Sequence, residues 1–84
     1  MSLASDVLTF EAFAKRLLVE LNLPPATVHA ETLLVEDLAF DSVLTFELIL
    51  VVEDWAGVML PEALLGQLRT MGDVYDVYRT RGSQ

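Results

Sequence analysis

The hydrophobic positions of this chain repeat at helical spacing. Over residues 9–21, Phe10, Phe13, Leu17, Leu18 and Leu21 fall on one stripe, the pattern of a helix with one face on a core. Glu11 precedes Lys15 by one turn, an order that favours the helix slightly. Asn22 and Pro24-Pro25 end the segment, because proline disfavours helical geometry in the residue before it. A second helix is predicted over residues 42–56. Asp41 can cap it by accepting from the free N–H groups of the first turn, and Gly57 suits the position just past its end. At about 100° per residue, Thr45, Leu48, Ile49, Val52 and Ala56 form its core face. Val43, Glu47, Leu50 and Asp54 form the opposite face, flanked by Leu44 and Val51.

Pro61 is placed to open a short third helix over residues 61–68. Thr70-Met71-Gly72-Asp73 has the form of a capping box with an aspartate as its acid. A fourth helix then runs over residues 71–79, with Met71, Val74, Tyr75 and Tyr78 as its stripe. Arg79 and Arg81 lie at its negative end, and Gly82 terminates it. The connection over residues 22–40 exceeds a usual helix–helix loop, so it needs apolar anchors of its own; Leu33, Leu34, Val35 and Leu38 are the candidates. No repeat, linker or strand emerges. The expected fold is all-α, a small four-helix bundle with a long loop between helices one and two and a short third helix. It forms a single domain over residues 1–84, with 1–4 and 82–84 expected as flexible termini.

Length limits what such a bundle can do. An 84-residue chain buries only about 60% of its unfolded surface and has a stability of about 3–5 kcal/mol. A surface read by partners fits that size better than a deep cleft. Cysteine is absent, which excludes disulfides, thiolate metal sites and cysteine nucleophiles. His29 is the single histidine, and the longest apolar run, Leu48–Val52, is five residues, against about 20 for a membrane span. The start of the chain lacks the basic and apolar regions of a signal peptide, so a cytoplasmic location is expected.

Charge sharpens the picture. The net charge is −8, from thirteen acids and five bases. Between Leu17 and Leu68 there are nine acids and no lysine or arginine. Such a field repels nucleic acid and anionic membranes and attracts proteins with basic patches; simple solubility accounts for it equally well. On the outer face of the second helix, Val43 and Leu50 stand among Glu47 and Asp54. Apolar residues ringed by acids suit a docking surface, unless that helix is buried on more sides than the wheel implies. Ser42 follows the cap, where the helix dipole and unpaired N–H groups favour an attached phosphate. An Asp-Ser pair at a helix start is also ordinary capping.

The residues around Ser42 go further. Glu36-Asp37-Leu38-Ala39-Phe40-Asp41-Ser42-Val43, followed by Glu47-Leu48, then Leu60-Pro61 and Thr70-Met71-Gly72-Asp73, resembles the acyl carrier protein family over about residues 9–78. The resemblance implies that a separate phosphopantetheinyl transferase attaches 4′-phosphopantetheine from coenzyme A to Ser42, beside Asp41. The arm's thiol would then carry acyl groups as thioesters between acyl-loading and acyl-processing enzymes with basic docking patches. Group carriage of this kind is cofactor chemistry that a protein presents. Matching positions imply partner recognition by Asp41, Val43, Glu47, Leu50, Glu53 and Asp54, and Leu44 and Val51, which flank that face, are expected to join them. Ala39 departs from the family's usual glycine, Val43 from its leucine, Leu44 from a frequent acid and Ala56 from a frequent aromatic. Leu44 in particular favours a dedicated partner set, in a specialised fatty-acid-like, polyketide or siderophore pathway. Phe46 on one flank is placed to shape an acyl pocket.

The same residues bear on other functions. A serine hydrolase needs an oriented base, and only His29 is on offer, so no enzymatic activity is expected. Glu36-Asp37 and Glu53-Asp54 lack the alternation and glycine of a calcium loop, so no metal site is expected. A peptidyl or aminoacyl carrier, or an acidic helical interaction domain that never carries a cofactor, remain as alternatives. The chain is expected to be a monomer.

Overall fold

The computed structural model describes residues 8–82, with the side chains of 65, 81 and 82 outside that description. The expected flexible segment 1–4 and residues 83–84 lie outside the described residues. Helix α1 spans Phe10–Glu20. Its cap is Thr9, whose Oγ1 accepts from the Ala12 N–H at 3.2 Å. The helix stops at Asn22, which takes a left-handed φ of 58°, a conformation asparagine adopts more readily than most residues. The Leu23 N–H then donates back to the Leu18 carbonyl at 2.9 Å. The stripe predicted from spacing is the buried one: Phe13, Leu17, Leu18 and Leu21 are all in the core.

Helix α2 spans Ser42–Ala56. The Leu44 N–H donates to Asp41 Oδ1 at 2.8 Å, and Gly57 closes the far end in the left-handed region at φ 75°, where a side chain would be strained. Leu48, Ile49 and Val52 point inward. Helix α3 spans Met71–Gly82. Its start is the predicted capping box: the Asp73 N–H donates to Thr70 Oγ1 at 3.1 Å, and Asp73 Oδ2 accepts from the Thr70 N–H at 3.1 Å. Asp73 Oδ2 also accepts from the Arg69 N–H at 3.0 Å. These backbone donors, Arg69 first and then Thr70, hold the Asp73 carboxyl below its ordinary value, because they favour the charged form. The described helix runs beyond the expected Arg79 to Gly82.

Among the described residues three α-helices form, and the four-helix bundle expected is not seen. The segment after Pro61 is a 3₁₀ helix over Glu62–Gln67, marked by the Leu64 N–H donating to the Pro61 carbonyl at 3.0 Å. Six residues containing Gly66 are too short to repay the cost of starting an α-helix, and the tighter turn is the usual outcome for such pieces. The fold is all-α, and no strand forms among the described residues; Leu33 and Thr70 make one isolated antiparallel bridge.

That bridge fixes the long connection. The Leu34 N–H donates to the Arg69 carbonyl, and the Met71 N–H to the Thr32 carbonyl, both at 2.9 Å. The Gly72 N–H reaches the Ala30 carbonyl at 2.9 Å. The loop is therefore laced to the start of α3. Leu34 and Phe40 insert into the core, while Leu33 and Leu38 are half-buried. Val35, expected as an anchor, faces solvent instead; the overlapping turns that bury Leu34 rotate the next residue outward.

The core combines Phe13, Leu17, Leu34, Leu48, Val52, Met71 and Val74. At one end, Phe13 stacks on Tyr78 at 4.8 Å and meets Trp55 edge-on at 5.7 Å. The Arg16 guanidinium lies 5.3 Å from the Trp55 ring centre, within cation–π range. Tyr75 donates to the Leu8 carbonyl at 2.7 Å and Tyr78 accepts from the Leu8 N–H at 2.9 Å, so two phenols clasp the backbone leading into α1. No helix among the described residues is long and apolar enough to cross a membrane.

Candidate functional site

The mouth of α2 is built by the turn before it. The Leu33 N–H donates to Asp37 Oδ2 at 2.9 Å, and the Asp37, Leu38 and Ala39 N–H groups donate back to Leu33, Leu33 and Val35 carbonyls. Ala39 takes a left-handed φ of 59°, which reverses the chain. Phe40 drops into the core, and its N–H donates to the Leu34 carbonyl at 3.0 Å. The chain emerges at Asp41, and Ser42 stands exposed as the first helical residue.

Asp41 is exposed and spends one oxygen on the Leu44 N–H. The Ser42 and Val43 N–H groups make no hydrogen bond within the described residues. They are two of the free donors that every helix start presents. A phosphodiester on Ser42 Oγ would meet those donors and the positive end of the α2 dipole. The Asp41 carboxylate works against it in part, and water screens that repulsion because the site is open.

The remaining sequence-predicted residues divide into three groups. Val43 and Leu50 are exposed, at 65% and 49%, and Glu47 and Asp54 beside them are exposed with no hydrogen bond or ion pair within the described residues. Leu44 and Val51 are half-buried and pack against the core cluster. Glu53 is half-buried and its Oε2 accepts from the Leu60 N–H at 2.9 Å. It ties down the loop after α2, a contact that helical spacing does not reveal because the partner lies seven residues away in an irregular segment.

Phe46, expected on one flank of α2, is 60% exposed and stands out from the helix beside the recognition residues. The signal that finds it is its spacing, four residues after Ser42 and so on the same helix face.

His29, the one candidate base, is exposed in the loop and lines a groove with Lys15 and Val19 of α1. Ser42 does not line that groove. Of the acid pair Glu36-Asp37, Asp37 is occupied in its turn, and no group of three or more metal-ligating side chains occurs among the described residues. No model of a known protein family matches the chain.

Proposed function

We propose that this protein is an acyl carrier protein with an acyl-carrier-like helical fold. Ser42 would carry a 4′-phosphopantetheine arm and present thioester-linked acyl groups to biosynthetic enzymes. The observation that carries the proposal is the exposed hydroxyl at the capped mouth of α2, next to an outward strip of apolar and acidic residues. The hydroxyl is reachable, its neighbours can accommodate a phosphate, and the strip gives partners something to read. A transferase would act on coenzyme A. The Ser42 oxygen forms a bond to the pantetheine-bearing phosphorus as the pyrophosphate P–O bond breaks. Adenosine 3′,5′-diphosphate leaves with the electron pair, and the hydroxyl proton is lost.

The chain's own residues would present the arm and guide docking. Glu47 and Asp54 steer basic enzyme patches toward α2, and Val43, Leu50 and the edges of Leu44 and Val51 supply apolar contact. Tethering makes delivery effectively intramolecular once an enzyme has docked. Leu44, where many fatty-acid carriers have an acid, favours a specialised set of enzymes over the general fatty-acid machinery. His29, the single candidate base, lines a groove that Ser42 does not share, so the carrier role is assigned to Ser42 without catalysis by the chain itself.

Intact mass spectrometry tests the proposal. The protein is incubated with coenzyme A and a broad-specificity phosphopantetheinyl transferase. Wild type should gain one phosphopantetheinyl group, and Ser42→Ala should gain none. A wild-type mass that never changes would sink the carrier function. The exposed apolar strip would then favour the second reading, an acidic helical interaction domain, which predicts equal partner binding by Ser42→Ala. A peptidyl or aminoacyl carrier would show the same mass gain and differ in which activated acid it accepts.

A further inference from the structure

Ser42, Phe46 and Leu50 follow one another at four-residue steps along α2. Residues at this spacing form a continuous ridge on a helix surface, with neighbouring Cβ atoms about 5–6 Å apart. The ridge begins with an exposed hydroxyl and continues with an exposed aromatic ring and an exposed leucine. Exposed Val43 widens it. The ridge ends in an acid, because Asp54 is the next four-residue step after Leu50; at about 100° per residue, Glu47 falls on the far side of Val43 from Phe46, and Glu53, which falls between Ser42 and Phe46, is half-buried with its carboxylate accepting from the Leu60 N–H. The surface next to Ser42 is thus apolar at Phe46, Leu50 and Val43, and anionic at the far end of that line and along its edge.

We propose that this ridge is a resting track for the group tethered at Ser42, and that it selects aliphatic acyl chains. The proposal rests on the carrier function above and adds a location and a class of cargo. A tethered chain meets the ridge at high effective concentration, so a weak apolar contact suffices to populate it. A chain of several methylenes gains by covering Phe46 and Leu50; a two-carbon group gains almost nothing. A cargo ending in a carboxylate is disfavoured by Asp54 at the far end of the line and Glu47 at its edge. The layer beneath α2 is filled by Leu48, Phe13 and Leu17, all without solvent contact, and admitting a chain there means displacing close-packed side chains. The track is also the strip that partners are proposed to read. A docking enzyme therefore lifts the chain off Phe46 and frees it for transfer.

The test uses two probes, octanoyl-coenzyme A and acetyl-coenzyme A, as donors for a broad-specificity phosphopantetheinyl transferase. Each is loaded onto ¹³C-labelled wild type and Phe46→Ala, and proton–carbon correlation spectra are compared with those of the unacylated arm-bearing protein. Octanoyl loading should shift the Phe46 ring and Leu50 methyl signals. Acetyl loading should leave Leu50 in place. In Phe46→Ala the octanoyl-induced shift at Leu50 should fall by at least about half, since the contact is shared. Phe46 is largely exposed, so the variant should fold, which circular dichroism checks; Leu50→Gln, read at Phe46, gives an independent second test. Octanoyl-induced shifts at Leu48, Phe13 and Leu17 with Phe46 and Leu50 silent would place the chain inside the bundle and overturn the track, as would no shift in either set. Absence of any mass gain overturns the carrier function and the track together, so mass and spectrum separate the two failures.

Discussion

Ala39 lies three residues before Ser42 with φ at 59°, and substituting it measures how the turn before the site is held. In the left-handed region an L side chain crowds the following carbonyl, at a cost of about 1–2 kcal/mol. The Ala39 methyl is exposed, so it recovers little of that through packing. Ala39→Gly removes the crowding. It also loosens the unfolded chain, which offsets about 0.4–1 kcal/mol. The net expectation is a gain of about 0.5–1 kcal/mol. For a domain of this size one kcal/mol moves Tm by about 4–8 °C, so Tm should rise by about 2–8 °C. Urea unfolding followed by circular dichroism gives the same quantity as a higher midpoint at unchanged slope. Ala39→Val supplies the opposite arm, because a β-branched residue is a marked outlier at positive φ; it should lower the midpoint. A glycine variant no more stable than wild type, together with a tolerated valine, would refute a left-handed residue 39. It would also remove the account of how Phe40 reaches the core while Ser42 reaches solvent.

Three further outcomes follow from particular contacts. A Cβ on Gly72 would lie 2.9 Å from the Ala30 carbonyl oxygen and 3.1 Å from the Ala30 Cβ; Gly72→Ala should therefore destabilise by about 1–2 kcal/mol despite alanine's better helix propensity, and a rise in urea midpoint would show that the loop gives way freely. Asp73→Ala should cost about 1 kcal/mol at neutral pH by removing the capping box. The folded-state carboxyl of Asp73 titrates below its ordinary value, so its contribution is present above about pH 4 and is lost as pH falls through the lower folded value. The difference between wild type and variant should shrink through that acid range, and a constant gap down to the lowest pH would contradict it. Glu47→Lys should slow modification of Ser42 by a basic transferase at low salt, with the two rates converging as ionic strength rises; equal rates at low salt would remove Glu47 from steering.

The sequence by itself determined the parts set by neighbours three and four residues apart. The stripes of α1 and α2, the Asp41 cap, the left-handed Gly57 and the Thr70–Asp73 box all depend on contacts within a turn or two, and each has the expected local geometry. The position of Ser42 at the mouth of α2 was legible for that reason. The tertiary structure decided what depends on distant partners. Pairing of the long loop with residues 69–72 sets which of Leu34 and Val35 is buried, and the Leu60 N–H claims Glu53. The segment after Pro61, too short to sustain an α-helix alone, takes the 3₁₀ form in its packed setting. Phe46 is exposed because α1, α3 and the loop cover the other sides of α2 and leave that ridge bare. Periodicity gives a helix its faces, but which face meets water depends on where the other elements pack.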